Sequence, residues 1–136
     1  MAKMSGVAWP TYSIDDSSGT PRDIRNDITN FSMATPRGVQ DVTGIDKSAN
    51  ERLLLLADMS TTLNGVFNPT SNMSHSVFRT VPSTSVARTT STAIASQTLA
   101  AELLYTDYNL TRGTDGAFTW TTPGVLSDGT VPTWGP

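Results

Sequence analysis

Cysteine is absent from the 136-residue chain, so neither disulfides nor thiolate metal sites can hold its fold, a usage that fits a reducing cytoplasm. Histidine occurs once, at His75, which leaves too few ligands for a zinc site. Asp41, Asp46 and Asp58 lack the spacing of a calcium loop. Charge is scarce as well: 15 % of residues are charged, the net charge is −3 and the isoelectric point is near 4.8. No basic surplus exists to neutralise phosphates, which argues against nucleic-acid binding. The chain also lacks the run of about eighteen apolar residues that a membrane-spanning helix needs. Its start, MAKMSGVAWP, has one lysine and no long apolar core, so it does not read as a secretory signal. The glycosylation-type triplets at Asn30, Asn72 and Asn109 are then chance matches in a chain rich in hydroxyl residues.

The equipment of catalysis is missing too. No nucleophile, base and orienting group can be assembled around His75, which reads as a surface residue in the first turn of a short helix. Asp15-Asp16 reads as a turn pair. Gly113, Gly116, Gly124 and Gly129 do not open a helix in the manner of a phosphate-cradling loop. The tyrosines and tryptophans have no basic residues around them to make a base-stacking platform. The expectation is a protein that is not an enzyme and needs no cofactor or metal.

What is abundant is serine and threonine, roughly a quarter of the chain against a lower norm. Threonine branches at Cβ and so favours strands over helices. Apolar content is 37 %, and a chain of this length reads as one domain, 1–136, burying roughly two-thirds of its unfolded surface. Composition thus leans to β structure with broad neutral surfaces.

The pattern is clearest from Asp58 to Val81. Met59, Leu63 and Phe67 share one face with Thr61 and Gly65, while Ser60, Thr62 and Asn64 share the other, the period of a half-buried strand. Asn68-Pro69 stops it. Ser74 stands as the N-cap of a short helix carrying Val77, Phe78 and Val81, and Pro82 ends it.

Before this stretch, the turn cluster Asp15–Pro21 predicts a hairpin with legs Val7–Ile14 and Asp23–Ala34. A change of apolar face after Ile28 predicts a bulge near Asn30. Thr35–Gly38 turns the chain, and Val39–Thr43 reads as a short strand. Residues 44–58 leave two readings open: a short helix from Ala49 with Ser48 and Glu51 at capping-box spacing, or a polar loop ending in a buried strand over Leu53–Leu56. The second is slightly preferred.

After the helix, Ser85–Ala95 has no obvious core face and suggests a solvated edge or a place in an assembly. Leu99, Leu103 and Tyr105 alternate as a buried strand should, and Arg112–Gly116 is the clearest hairpin turn, closing with Asp-Gly. Ala117–Thr122 returns, with Pro123 restricting the strand to an edge or an end. Two terminal arms, 1–8 and 124–136, carry or adjoin apolar residues that need something to dock on: Trp9, Val125, Leu126, Val131 and Trp134. A β-rich, oligomer-forming module follows.

Three groups of segments carry a more specific likeness. Asp41–Asp58 (DVTGIDKSANERLLLLAD), Thr62–Asn68 (TLNGVFN) with the helix Ser74–Arg79 (SHSVFR), and the closing Thr106–Gly113 (TDYNLTRG) and Phe118–Trp134 (FTWTTPGVLSDGTVPTW) resemble the major tail (tail tube) proteins of tailed bacteriophages. The likeness spans roughly residues 26–134, and its most specific part is L-x-G-x-F followed by a short helix. The resemblance implies a mainly β, sandwich- or barrel-like subunit with one outer helix, a long loop and extended terminal arms. It implies a virion protein, assembled in the bacterial host cytoplasm, whose hexameric rings stack into a channel for DNA without binding it specifically. Its partners would be other tail proteins: tape measure, tail tip and terminator. Carried onto this chain, it makes Gly44, Asp46, Lys47, Ser48, Glu51 and Arg52 the inter-ring stacking loop and Ser85–Ala95 a lumen-lining or inter-subunit strand. Trp9, Val125, Leu126, Val131 and Trp134 become the arm contacts, and acidic groups are expected to face the lumen. A capsid decoration protein and a monomeric, carbohydrate-binding β-sandwich are the alternatives.

Overall fold

In the computed structural model, which describes residues 3–7 and 9–136, the regular structure of the chain is almost wholly antiparallel strand. The described elements are β1 (Thr11–Asp15), β2 (Pro21–Asp23), a 3₁₀ turn (Arg25–Asp27), β3 (Ile28–Ala34), β4 (Arg37–Asp41), β5 (Arg52–Ala57), β6 (Ser60–Val66) and α1 (Ser74–Phe78). They continue with β7 (Arg88–Ile94), β8 (Gln97–Tyr105), β9 (Asn109–Arg112), β10 (Phe118–Leu126) and β11 (Trp134–Gly135). The first hairpin forms where its turn residues place it: the Asp16 carboxylate accepts from the N–H groups of Ser18 and Thr20, and Gly19 takes a φ of +83°. Its second leg is shorter than the pattern suggests. It ends at Asp23, and the 3₁₀ turn sends β3 to the far side of the sheet.

The main sheet runs β2-β1-β7-β8-β10-β6-β3, with β9 beside β10 and β11 beside β8. Five inter-strand steps separate β1 from β3, about 24 Å in a flat sheet. Yet the rings of Tyr12 and Phe31 lie 5.3 Å apart, and those of Trp9 and Phe31 5.2 Å apart. The sheet is therefore curled upon itself, and aromatic side chains rather than a hydrogen-bonded ladder close the gap between its ends. Inside lie Tyr12, Ile14, Leu63, Leu99, Leu103, Tyr105 and Trp120, with Val77 and Phe78 of α1 packed against them.

Four sequence expectations change here. β7 is not a solvated edge: β1 and β8 pair with its two sides, and its inward face is Arg88, Thr90 and Thr92, all buried. The core accepts these polar groups because each finds a partner. Thr90 Oγ1 meets the Tyr105 hydroxyl at 2.6 Å, and Thr92 Oγ1 donates to the Thr11 carbonyl. Second, Pro123 does not end its strand. β10 continues to Leu126, and Pro123 sits where the partner on one side changes from β9 to β8, its carbonyl accepting from the Thr106 N–H. Third, Ser74 is not the cap of α1. The residue before it, Met73, holds that position without a side-chain bond, and the Ser74 hydroxyl is buried with no partner in the protein. The Ser74 N–H is instead met at 3.0 Å by the carboxylate of Asp27, forty-seven positions earlier. Fourth, His75 is half-buried between the rings of Phe67 and Tyr108. The bulge near Asn30 stands, as a register shift between Ile28 and Asn30.

Arg88 ties the helix to this frame. Its guanidinium donates to the carbonyls of Asp15 and Val77 and to Thr80 Oγ1, at 3.1, 3.0 and 2.8 Å. No carboxylate touches it, and burial holds its pKa below the usual arginine value. The cation thus satisfies the end of α1 while fixing that end over β1.

Candidate assembly surface

The most exposed apolar surface lies on a ribbon that leaves the sheet. β3 and β6 pair as far as Ala34 and Ser60, and after two intervening residues on each strand the ladder resumes as Arg37 opposite Ala57. The Asp58 N–H donates to the Pro36 carbonyl across the interruption. β4 and β5 are thus the overrun of the β3–β6 hairpin, and at about 3.3 Å per residue β5 carries the ribbon roughly 20 Å beyond the body. The open choice over residues 44–58 resolves as loop then strand, but the strand is not buried. Leu53, Leu54, Leu55 and Leu56 are 54, 60, 44 and 91 % exposed, and Val39 and Ile45 are exposed with them.

Registration sorts these side chains onto two faces. Val39 lies opposite Leu54, placing these two on one side, while the register shift between Arg37 and Val39 leaves Leu55 and Leu56 together opposite Gly38. Leu53 and Leu55 lie on the other side, where Leu55 closes over Gly38, with its Cδ1 3.3 Å from where a Cβ would stand. Arg37 Nε donates to the Leu55 carbonyl. At the base of the tip, Val42 N–H donates to the Glu51 carbonyl, and Thr43 Oγ1 accepts from the Glu51 N–H. Gly44, Asp46, Lys47, Ser48 and Glu51 form that tip, with Lys47 3.7 Å from both Asp46 and Glu51, and Arg52 opens β5. All six residues named for stacking are exposed. The leucines beside them were not named. The signal that could have found them is the run itself, since an alternating strand with one covered face cannot bury four consecutive leucines.

A second apolar feature lies on the body. A cleft of roughly 460 Å³ opens between the segment preceding β1, the first half of β3 and the β7–β8 turn, with Met4, Trp9, Pro10, Ile28, Phe31 and Ile94 in its wall. Trp9 is docked here on its own chain: its ring stacks on Phe31 and its Nε1 donates to Thr92 Oγ1 at 2.9 Å. The other arm residues are placed differently. Val125 and Leu126 belong to β10, in the main sheet rather than in an arm. Trp134 pairs with Leu99 as β11, and Val131 stands 62 % exposed between them. Of the N-terminal arm 1–8, Met1, Ala2 and Ala8 lie outside the described residues.

Among the described residues, no group of three or more His, Asp or Glu side chains is placed to hold a metal ion, and no helix is long and apolar enough to cross a membrane. The displaced pKa values belong to structure. Burial pushes the hydroxyls of Tyr105 and Tyr108 up to about 12, and that of Tyr12 upward as well. The outward face of β7, β8 and β10 is mostly hydroxyl and small: Thr89, Ser91, Thr98, Ala100, Thr119 and Thr121, with Glu102 held by Thr89.

No protein-family model matches the sequence, and no curated protein matches it. The fold does have counterparts. A chain in the tail of an empty gene transfer agent particle, determined with helical refinement in C6 symmetry, superposes with a TM-score of 0.78 at 14 % identity, covering 98 % of this chain and 100 % of that one. A chain in the virion of a native gene transfer agent particle superposes with a TM-score of 0.75 at 13 % identity, covering 99 % and 100 %. The chain has the fold of these particle proteins over essentially its whole length: mostly β, with a large antiparallel sheet and one short helix.

Proposed function

We propose that the chain is the structural subunit of a phage-like tail tube, in which six copies form a ring and stacked rings enclose a channel for DNA. The full-length likeness to a chain of a sixfold tail carries this reading. The exposed ribbon supports it, because Leu53, Leu54, Leu55 and Leu56 stand bare on a hairpin that leaves the sheet, and apolar surface left bare marks an interaction site. The charged tip beyond the ribbon is the part that meets the next ring. Tape measure, tail tip and terminator proteins are the further partners, the virion is the location, and the host cytoplasm is the place of assembly.

The channel wall is the outward face of β7, β8 and β10, with Glu102 as its acidic group. Those strands turn no lysine or arginine outward. A wall without cations releases no counterions from passing DNA and so does not hold it. Changing Ser91 or Thr121 to lysine should slow DNA ejection from assembled particles, and unchanged ejection kinetics would remove this assignment.

Electron microscopy of the purified chain over a range of concentrations, with light scattering alongside, tests the assembly. Hollow tubes or six-membered rings are expected. Discrete trimers would favour a capsid decoration protein, and a glycan-binding monomer would favour a carbohydrate-binding sandwich. Either result would overturn the tube reading.

A further inference from the structure

We propose that the β4–β5 ribbon of one copy seats its Val39 and Leu54 face in the Trp9–Phe31 cleft of another copy. The inference rests on the reading of the chain as a subunit of a stacked assembly and names the surface that receives the arm.

Three observations carry it. First, ribbon and cleft lie at opposite ends of one hairpin. The cleft borders Ile28–Phe31 at the start of β3, and the ribbon leaves after Ala34. Phe31 and Val39 are eight positions apart, about 25 Å along an extended chain. Every residue of β4 and all four leucines remain exposed, so the ribbon does not fold back over its own body. A protrusion and a receptor at opposite ends of one chain make a head-to-tail contact, which propagates through copies instead of closing on two.

Second, the chemistry matches. The cleft wall is aromatic and aliphatic, and the ribbon face offers two branched aliphatic side chains, Val39 and Leu54, both more than half exposed. Third, the backbone is available on both sides. β3 is the last strand of the sheet, so one edge of it is unpaired, and β4 and β5 pair only with each other. The ribbon can therefore add to the β3 edge by strand augmentation while its side chains enter the cleft.

Because the protein contains no cysteine, engineered thiols report contact without background. Leu54→Cys and Asn30→Cys replace exposed side chains on the ribbon and on the cleft rim. A chain carrying both, assembled and then oxidised, should give a ladder of covalently joined copies, and each single variant should not. Mixing the two single variants should give one heterodimer band. Tubes that assemble but do not crosslink would overturn this receptor and leave the tube reading standing. A monomer with an internal disulfide would overturn the head-to-tail contact. Failure of the unmodified chain to assemble under any condition would remove the tube reading and this inference together. As an independent check, Ile94→Lys places a charge in the cleft wall at a side chain that is 41 % exposed. It should leave the circular dichroism of the monomer unchanged and abolish tube elongation. Elongation at the normal rate would overturn the proposal.

Discussion

The indole of Trp120 occupies the space that Gly65 leaves by having no side chain. A Cβ on Gly65 would overlap both that ring and the Asp27 carbonyl oxygen, while the indole N–H donates to the Val66 carbonyl at 2.9 Å. Trp120 and Gly65 face each other across the β10–β6 ladder. The glycine in L-x-G-x-F is thus a packing requirement, set by a ring from a strand more than fifty residues away. Gly65→Ala should destabilise the fold by about 1–3 kcal/mol or more, because one of the overlapped atoms is backbone and cannot rotate away. Urea unfolding followed by tryptophan fluorescence measures it, and an unchanged midpoint would contradict the packing.

Asp27 rather than Ser74 caps the helix. Its Oδ2 accepts from the Ser74 N–H and its Oδ1 from Asn68 Nδ2 at 2.8 Å. Asp27→Ala should cost about 1–2 kcal/mol, the usual loss for a cap. Ser74→Ala should be neutral or slightly stabilising, since it removes a buried hydroxyl with no partner in the protein. The reverse order in a thermal melt would restore the local cap.

Arg88 donates to two backbone carbonyls, those of Asp15 and Val77. Arg88→Met keeps the aliphatic stem but removes both bonds, at about 1–3 kcal/mol for each. Arg88→Lys should rescue little, because a single ammonium cannot span three acceptors arranged around a planar fork. Full recovery of the unfolding midpoint by lysine would show that charge alone matters.

The chain has three tyrosines, and burial raises the pKa of each, to about 12 for Tyr105 and Tyr108. A raised folded-state value means that their contribution to stability is complete below the unfolded value of about 10 and is lost as pH climbs through the folded one. Stability should hold through neutral pH and decline between pH 10 and about 12. Tyrosinate absorbance should appear together with unfolding rather than before it. Ionisation of these tyrosines with the circular dichroism intact would contradict the burial.

Much of the strand pattern is legible without coordinates. Met59, Thr61, Leu63 and Gly65 alternate into the core as written, as do Leu99, Leu103 and Tyr105. The Asp-Gly turn joins β9 to β10, with Gly116 at a φ of +91°. The bulge near Asn30 shows in the change of apolar face. These features are local, because backbone geometry alone sets a period of two and the turn chemistry.

Other features depend on which strands become neighbours. β7 looks like a solvated strand because its inward residues are Arg88, Thr90 and Thr92, and only Tyr105, Asp15, Val77, Thr80 and Thr11 make burying them tolerable. Pro123 looks like a strand end, yet it sits inside β10 at the handover from β9 to β8. The leucine run looks like core, yet it stands outside the body because its hairpin outruns the sheet. Sequence by itself determined which residues share a face of each strand, along with the shortage of cysteine, histidine and net charge. Strand order and curling decided which of those faces is covered, because burial is a property of the neighbours a face meets.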